Sequence, residues 1–157
     1  MTITLKVNGV SRSFEADAGE TLLEVLRGAG YVGVKKGCGT GDCGACAVLL
    51  NGRAVNSCLL LAAKADGGEV LTVEGLAAGG CLHPLQEAFL DEGAVQCGYC
   101  TPGMMMSAID LLTRNPDPSD EEIREAIAGN LCRCTGYVKQ IRAIQRAAER
   151  MRGDGDG

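Results

Sequence analysis

The spacing of the cysteines constrains this chain more than any other feature of its sequence. Eight of its nine cysteines fall into two groups of four, in which thiols lie only a few residues apart. The first group is Cys38, Cys43, Cys46 and Cys58, and the second is Cys97, Cys100, Cys132 and Cys134. In a reducing compartment, thiols grouped in this way are more often metal ligands or catalytic groups than disulfides.

The first group has the spacing Cys-x4-Cys-x2-Cys with a fourth cysteine further on, which matches plant-type 2Fe–2S proteins. Four glycines, Gly37, Gly39, Gly41 and Gly44, surround it. A loop that wraps a cluster needs unusual φ values and backbone N–H groups that reach the sulfurs. Structural zinc is the alternative, although zinc sites rarely crowd three thiols and several glycines into one loop. The formal G-x-G-x-x-G at 39–44 lacks the preceding strand and following helix of a dinucleotide site.

The second group pairs Cys97-x2-Cys100 with Cys132-x-Cys134, and a helical pattern follows each pair. We expect Thr101 to cap the first of these helices, with Pro102 at its first position. Free N–H groups at a helix N-terminus favour negative charge, which suits a metal–sulfur cluster. The Cys-x-Cys pair makes a simple zinc ribbon less suitable. A redox-active Cys-x2-Cys would leave the other two thiols without a role.

The hydrophobic pattern predicts an α+β fold with two units. Two hairpins, at 3–14 and 47–57, carry Asn-Gly turns, and a helix at 20–30 and a strand at 69–73 complete a β-grasp-like unit. Four helical patterns then predict a four-helix bundle. They cover 84–90, 101–114, 119–129 and 137–152. We therefore predict a β-grasp-like domain at 1–76, a helical domain at 77–152 and a flexible tail at 153–157.

Composition and charge exclude several classes of protein. The net charge of −5 and the lack of a basic run argue against general binding of nucleic acid. No apolar stretch approaches the ~18 residues of a membrane span. The first residues show no secretory signal, so we expect a cytoplasmic protein.

Two remaining residues have alternative interpretations. Cys81 is either a reactive thiol or a small buried apolar residue, and we favour the buried residue. His83, the only histidine, precedes Pro84 at a predicted helix start, where capping or packing is favoured over ligation or proton transfer.

The methionines 104–106 are expected to fill core and interface gaps rather than bind metal.

Three runs, GCGTGDCGACAV, AVQCGYCTPGMMMSA and GNLCRCTGY, resemble the signatures of the iron–sulfur subunit of molybdenum hydroxylases. This is the family of xanthine dehydrogenase, aldehyde oxidoreductase and carbon monoxide dehydrogenase, and the resemblance extends from Ile3 to about Met151. It implies a ferredoxin-like β-grasp domain that holds one 2Fe–2S cluster through the first group of four cysteines. It also implies a helical domain that holds a second 2Fe–2S cluster through the second group. This sequence departs from the family pattern at Ala47, Cys81 and Gln140, and none of these residues is an expected ligand.

The resemblance also implies partners. Gln96 and Cys134 would lie against the pterin of a molybdenum cofactor on a large subunit, and a medium subunit would typically carry FAD. The chain would relay electrons between them and would not be catalytic alone. The alternative is a free-standing two-cluster ferredoxin. The apolar run 104–106 and the neutral tip 135–137 favour burial against a partner over a free carrier. A zinc-stabilised interaction module is a third interpretation.

Overall fold

Two β-hairpins with tight Asn-Gly turns build most of the sheet in the computed structural model, which describes residues 1–153. The strands are β1 (Thr2–Val7), β2 (Val10–Glu15), β3 (Ala47–Leu50) and β4 (Arg53–Asn56). Asn8 and Gly9 have φ values of 50° and 83°, and Asn51 and Gly52 have 50° and 81°. Positive φ at both central residues is what a type I′ turn requires. The two predicted hairpins are therefore confirmed.

The sheet is mixed and has the order β2-β1-β5-β3-β4, where β5 spans Glu69–Leu71. Strand β5 runs parallel to β1 and antiparallel to β3, so it joins the two hairpins. Ile3, Leu5 and Val7 of β1 alternate toward one face and are buried. They share a core with helix α1 (Leu22–Gly28). The predicted strand and helix are confirmed, each shorter than expected.

Four further helices follow the sheet, as predicted: α2 (Pro84–Asp91), α3 (Thr101–Arg114), α4 (Asp120–Ile127) and α5 (Val138–Gly153). Helix α2 packs on α5, α4 packs on both α3 and α5, and α3 also packs on β3. Met104, Met105 and Met106 are buried in this core. The expectation that this run fills core gaps is confirmed, whereas the expectation that it is buried against a partner was wrong, because the chain itself covers it. No helix within 1–153 is long and apolar enough to cross a bilayer.

The starts of these helices test the capping predictions. His83 caps α2, and its Nδ1 accepts a hydrogen bond from the Leu85 N–H at 3.1 Å. Burial lowers the pKa of His83. Ser119 caps α4 through the predicted capping box with Glu122. Thr101 does not cap α3, because the capping position is one residue earlier, at Cys100.

The predicted tail begins inside the last helix, since Gly153 is the final residue of α5. The rest of that tail, 154–157, lies outside the described residues.

A half-buried network centred on Asp110 joins α3 to the sheet. Its carboxylate accepts a hydrogen bond from the Ala54 N–H at 3.2 Å and pairs with Arg53 at 3.2 Å and Arg114 at 3.0 Å. Burial raises the pKa of Asp110, but the hydrogen bonds from Arg114 and Ala54 outweigh that effect and leave it lowered. An ionised carboxylate therefore fixes the helices against the hairpin β3–β4.

Candidate metal centres

The first four cysteines come together around one loop; we call Cys38, Cys43, Cys46 and Cys58 the loop site. Gly39, Gly41 and Gly44 have positive φ in this loop, as the sequence predicted, whereas Gly37 does not and instead lies where a Cβ would meet Cys43 Sγ at 2.6 Å. The thiols adjoin in pairs, Cys38 with Cys43 and Cys46 with Cys58, and Cys38 also lies close to Cys58. The loop site is thus four thiols arranged as two pairs.

Backbone N–H groups point at the outer pair of the loop site. Cys38 Sγ accepts from the N–H groups of Thr40 and Cys43 at 3.4 Å, and Cys43 Sγ accepts from the Cys38 N–H at 3.4 Å. Hydrogen bonds from Thr40, first its side chain and then its backbone, lower the pKa of Cys38 to about 6. The Thr40 hydroxyl has a single proton and lies 2.6 Å from the Asp42 carboxylate. The Thr40 hydroxyl proton is therefore shared with Asp42, whereas the backbone N–H groups of Thr40 and Cys43 donate to Cys38 Sγ without a competing acceptor.

The inner pair of the loop site is less accessible. Cys46 is buried and Cys58 is partly buried. Burial, followed by the adjacent Cys46 thiol, raises the pKa of Cys58 to about 11. Crowded thiols resist losing a second proton, whereas a metal that binds them displaces the protons and offsets the charge. This pair is suited to ligation and poorly suited to acting as a free nucleophile.

The second four cysteines meet where α3 begins; we call Cys97, Cys100, Cys132 and Cys134 the helical site. Again the thiols adjoin in pairs, Cys100 with Cys132 and Cys97 with Cys134. Cys100 occupies the capping position of α3, so its thiol sits at the positive end of that helix. Cys132 and Cys134 are separated from α5 by the turn 135–137.

The acidities of the inner pair of the helical site move in opposite directions. Burial, followed by the neighbouring Cys132, raises the pKa of Cys100 to about 12. Burial also raises the pKa of Cys132, but hydrogen bonds from Thr135 outweigh that effect and leave it lowered. In this pair Cys132 is therefore the thiol that loses its proton more easily.

The grouping in pairs distinguishes the metal sites that these thiols could form. Within residues 1–153, no three His, Cys, Asp or Glu side chains converge closely enough to hold a single metal ion. A tetrahedral zinc site needs four ligands on one ion. A 2Fe–2S cluster instead takes four cysteine ligands across two irons. Two pairs of neighbouring thiols at each site fit that binuclear group.

Other predicted site residues lie close to the helical site. Gln96 is exposed and donates from Nε2 to the Cys134 carbonyl oxygen at 3.3 Å. Sequence reasoning missed Thr135 and Gln140 as neighbours of Cys132. Thr135 Oγ1 lies 3.1 Å from Cys132 Sγ, and Gln140 Nε2 lies 3.8 Å from it. A polar residue at a buried position of α5 was the available signal.

Main-chain contacts link the two sites. The Leu131 N–H donates to the Cys43 carbonyl oxygen at 2.9 Å, so a residue beside Cys132 bonds directly to a loop-site cysteine. Asn130 Nδ2 donates to the neighbouring Gly44 carbonyl at 3.1 Å. Gly103 packs against that same carbonyl, and a Cβ there would clash with it. The two sites therefore share one tightly packed junction.

Cys81 lies outside both groups. It is exposed, in a two-residue turn formed by Gly79 and Gly80 and closed by backbone hydrogen bonds with Ala78. The prediction of a buried apolar residue was wrong, because residues 77–82 around this turn are all exposed to solvent.

Comparison with known proteins agrees with this geometry. A family model for the 2Fe-2S iron-sulfur cluster binding domain matches residues 5–84, and one for the [2Fe-2S] binding domain matches 72–145. The small FeS subunit of nicotinate dehydrogenase from Eubacterium barkeri is 51% identical over 151 residues, covering 96% of each chain. The iron-sulfur-binding subunit of xanthine dehydrogenase from Escherichia coli O157:H7 is 49% identical over 146 residues, covering 92% of each.

The fold of this chain also matches a solved structure closely. A chain of quinoline 2-oxidoreductase from Pseudomonas putida 86 superimposes with a TM-score of 0.94 at 44% identity, covering 98% of this chain and 96% of that one. This chain belongs to the iron–sulfur subunits of the molybdenum hydroxylase family. In this iron–sulfur subunit, each family match contains one complete group of four cysteines.

Proposed function

We propose that this chain is the electron-transfer subunit of a molybdenum-dependent hydroxylase or dehydrogenase. The loop site would hold one 2Fe–2S cluster and the helical site a second. When bound, these clusters supply the one-electron redox chemistry between a molybdenum cofactor on a large subunit and FAD, or another acceptor, on a further partner. Substrate oxidation itself belongs to the large subunit.

The observation that carries this proposal is the junction between the two sites. Each site has four thiols in two pairs, and a 2.9 Å hydrogen bond joins the Cys43 carbonyl to the Leu131 N–H. Cys132 is covalently next to Leu131. A short path of covalent bonds with a single hydrogen bond therefore connects a thiol of one site to a thiol of the other. That arrangement suits a relay of electrons through the chain.

The surface around the helical site supports docking to the large subunit. Cys97 and Cys134 are exposed at its outer edge. Leu131, which precedes Cys132, and Val138, the first residue of α5, are 57% and 53% exposed and would be covered by a docked partner. We infer that Gln96 and Cys134 contact the pterin of the molybdenum cofactor there, as the family resemblance implies.

The remaining parts of the proposal concern organisation. Residues 1–76 would form a β-grasp ferredoxin-like domain and residues 77–152 a four-helix bundle, with a medium FAD subunit as the second partner. Free thiols in this number favour a reducing compartment, so we place the complex in the cytoplasm.

Metal analysis of the purified protein tests the proposal. Two cysteine quartets with 2Fe–2S clusters give about four iron and about four acid-labile sulfide per chain, with little zinc. Low-temperature EPR of the reduced protein should show two signals. One zinc per quartet without sulfide would overturn the assignment.

The contact to molybdenum has a separate test. Gln96→Ala should slow reduction of the clusters by substrate in the purified complex, or weaken retention of the molybdenum cofactor, while both clusters assemble. Stopped-flow reduction by substrate measures this effect, with direct reduction by dithionite as the control. An unchanged rate with full molybdenum content would remove the support for that contact.

A free-standing two-cluster carrier is the second candidate. The exposed Leu131 and Val138 favour a permanent partner, because a free carrier has a more polar docking face. Purification from native cells decides between them: a stable complex with a large molybdenum subunit supports the relay, and a monomer that retains both clusters supports the free carrier.

A further inference from the structure

The side chain of Gln140 is a fully buried amide on the first turn of α5. Its Nε2 donates to the Ala94 carbonyl oxygen at 3.2 Å. A carbonyl oxygen only accepts hydrogen bonds, so the nitrogen of the amide must face Ala94 and the orientation of the side chain is fixed.

The same nitrogen faces the helical site. It lies 3.8 Å from Cys132 Sγ and is hydrogen-bonded to Thr135 Oγ1. The Thr135 hydroxyl is in turn 3.1 Å from Cys132 Sγ. The amide nitrogen has two protons and one of them is donated to Ala94, so the second acts on the sulfur chiefly through the threonine hydroxyl. Linked donors of this kind polarise and strengthen one another.

The other end of the amide shows that the buried polar group is costly. Gln140 Oε1 is buried and has no hydrogen-bond partner within residues 1–153. An unpaired buried oxygen destabilises the fold, and an apolar side chain of the same size would avoid that cost. The N–H groups are what the amide contributes at this position.

We propose that Gln140 is a positioning residue that raises the reduction potential of the cluster at the helical site. This inference rests on the proposed function, in which Cys132 is a ligand. Reduction adds negative charge to a cluster and its sulfurs, and donors aimed at a sulfur stabilise that charge. Gln140 holds the Thr135 hydroxyl in place to supply such a donor to Cys132 Sγ. This donor belongs to a side chain and is not fixed by the main chain.

Gln140→Met tests the proposal, because methionine keeps the length and burial but has no donor. At a fixed potential, the ratio of reduced to oxidised helical-site cluster should fall about threefold to tenfold, where tenfold corresponds to 59 mV for one electron. EPR-monitored redox potentiometry on the purified full chain measures the ratio. The loop-site cluster in the same molecule is an internal control and should not move.

Gln145→Leu is the matched control on the same helix. The Gln145 amide bonds to Asp120 at 2.9 Å instead of to a cysteine, so its loss should leave both potentials unchanged. Pulsed EPR after exchange into D2O gives a further readout, since a deuteron coupled to the helical-site cluster in the wild type should be lost in Gln140→Met.

An unchanged helical-site potential in Gln140→Met would overturn this inference and leave the proposed function intact. Absence of both EPR signals from the wild type would instead overturn the proposed function. If Gln140→Met fails to retain the helical-site cluster, Thr135→Val decides the question by removing the hydroxyl through which the amide acts. A lowered helical-site potential there supports the network, and an unchanged one overturns it.

Discussion

The loop site and the helical site hold their sulfurs by different means. In the loop site, the N–H groups of Cys38, Thr40 and Cys43 donate to sulfur from the main chain. The helical site has a main-chain donor at Tyr99, 3.5 Å from Cys97 Sγ, and adds the side chains of Thr135 and Gln140. Main-chain donors are fixed by the fold, whereas side-chain donors change with one substitution. We therefore expect single substitutions of side-chain donors to change the electronic properties of the helical site through Thr135 and Gln140.

The largest expected effect comes from removing a thiol from one site at a time. Cys43→Ser should remove the cluster from the loop site, and Cys100→Ser should remove the cluster from the helical site. In both variants a serine hydroxyl replaces a soft thiolate ligand and binds iron poorly. Each change should lower iron from about four to about two per chain. EPR should show one signal lost in each variant. Loss of both signals from a folded chain would mean that the eight cysteines are divided wrongly.

The next effect concerns the junction that the sites share. Gly103→Ala would press a Cβ into the Gly44 carbonyl, and overpacking of this kind costs about 1–3 kcal/mol. We expect a lower melting temperature and weaker retention of both clusters. Gly129→Ala is the matched control, because a Cβ there meets nothing within 4 Å. Equal melting temperatures for the two variants would show that the close contact between Gly103 and the Gly44 carbonyl does not affect stability.

A smaller effect is expected where α3 meets the hairpin β3–β4. Asp110→Asn keeps an acceptor for Ala54 but loses the pairs with Arg53 and Arg114, at a cost of about 1–2 kcal/mol. Because the pKa of Asp110 is lowered below 3.8 in the folded chain, its contribution is present above pH 3.8 and is lost as the pH falls through the lowered value.

Melting temperatures of the wild type and Asp110→Asn, compared from neutral to acidic pH, measure that contribution. The difference between the two proteins should shrink below about pH 4. A difference that stays constant down to the lowest accessible pH would contradict the role of the ionised carboxylate.

The smallest effect is predicted for Cys81, which belongs to neither site. Cys81→Ala should leave iron, sulfide and both EPR signals unchanged, because the side chain is exposed and bonds to neither group of four. In the purified chain, an alkylating reagent should label about one thiol before unfolding and about nine afterwards. A changed iron content in the alanine variant would make Cys81 a neighbour of a cluster.

The sequence predicted the elements of the fold well because their signals are local. Asn-Gly turns, helical periodicity and the Ser119–Glu122 capping box need only neighbouring residues. The cysteine spacing likewise predicts which thiols share a site, and the single-thiol variants test that division. What it could not predict depends on tertiary packing. Whether Met104–Met106 face a partner or the core, and whether Cys81 is buried, is decided by segments distant in sequence.

The neighbours of Cys132 show the same limit. Nothing in the local sequence says that Gln140 turns its amide toward a cysteine eight residues earlier. That contact requires the positive φ of 72° at Tyr137, an uncommon conformation for a tyrosine, which reverses the chain before α5. The Tyr137 hydroxyl accepts a hydrogen bond from the Cys132 N–H at 2.8 Å, which holds the turn in place.

The main-chain donors of the loop site have a consequence for the speed of electron transfer. The N–H groups of Cys38, Thr40 and Cys43 belong to a loop anchored by the bond from Leu131, so they cannot swing when the charge at the sulfurs changes. Fixed dipoles need little nuclear motion to accommodate an added electron, and water would need much more. For a cluster bound at the loop site, these fixed donors would therefore add little to the reorganisation energy of each electron transfer.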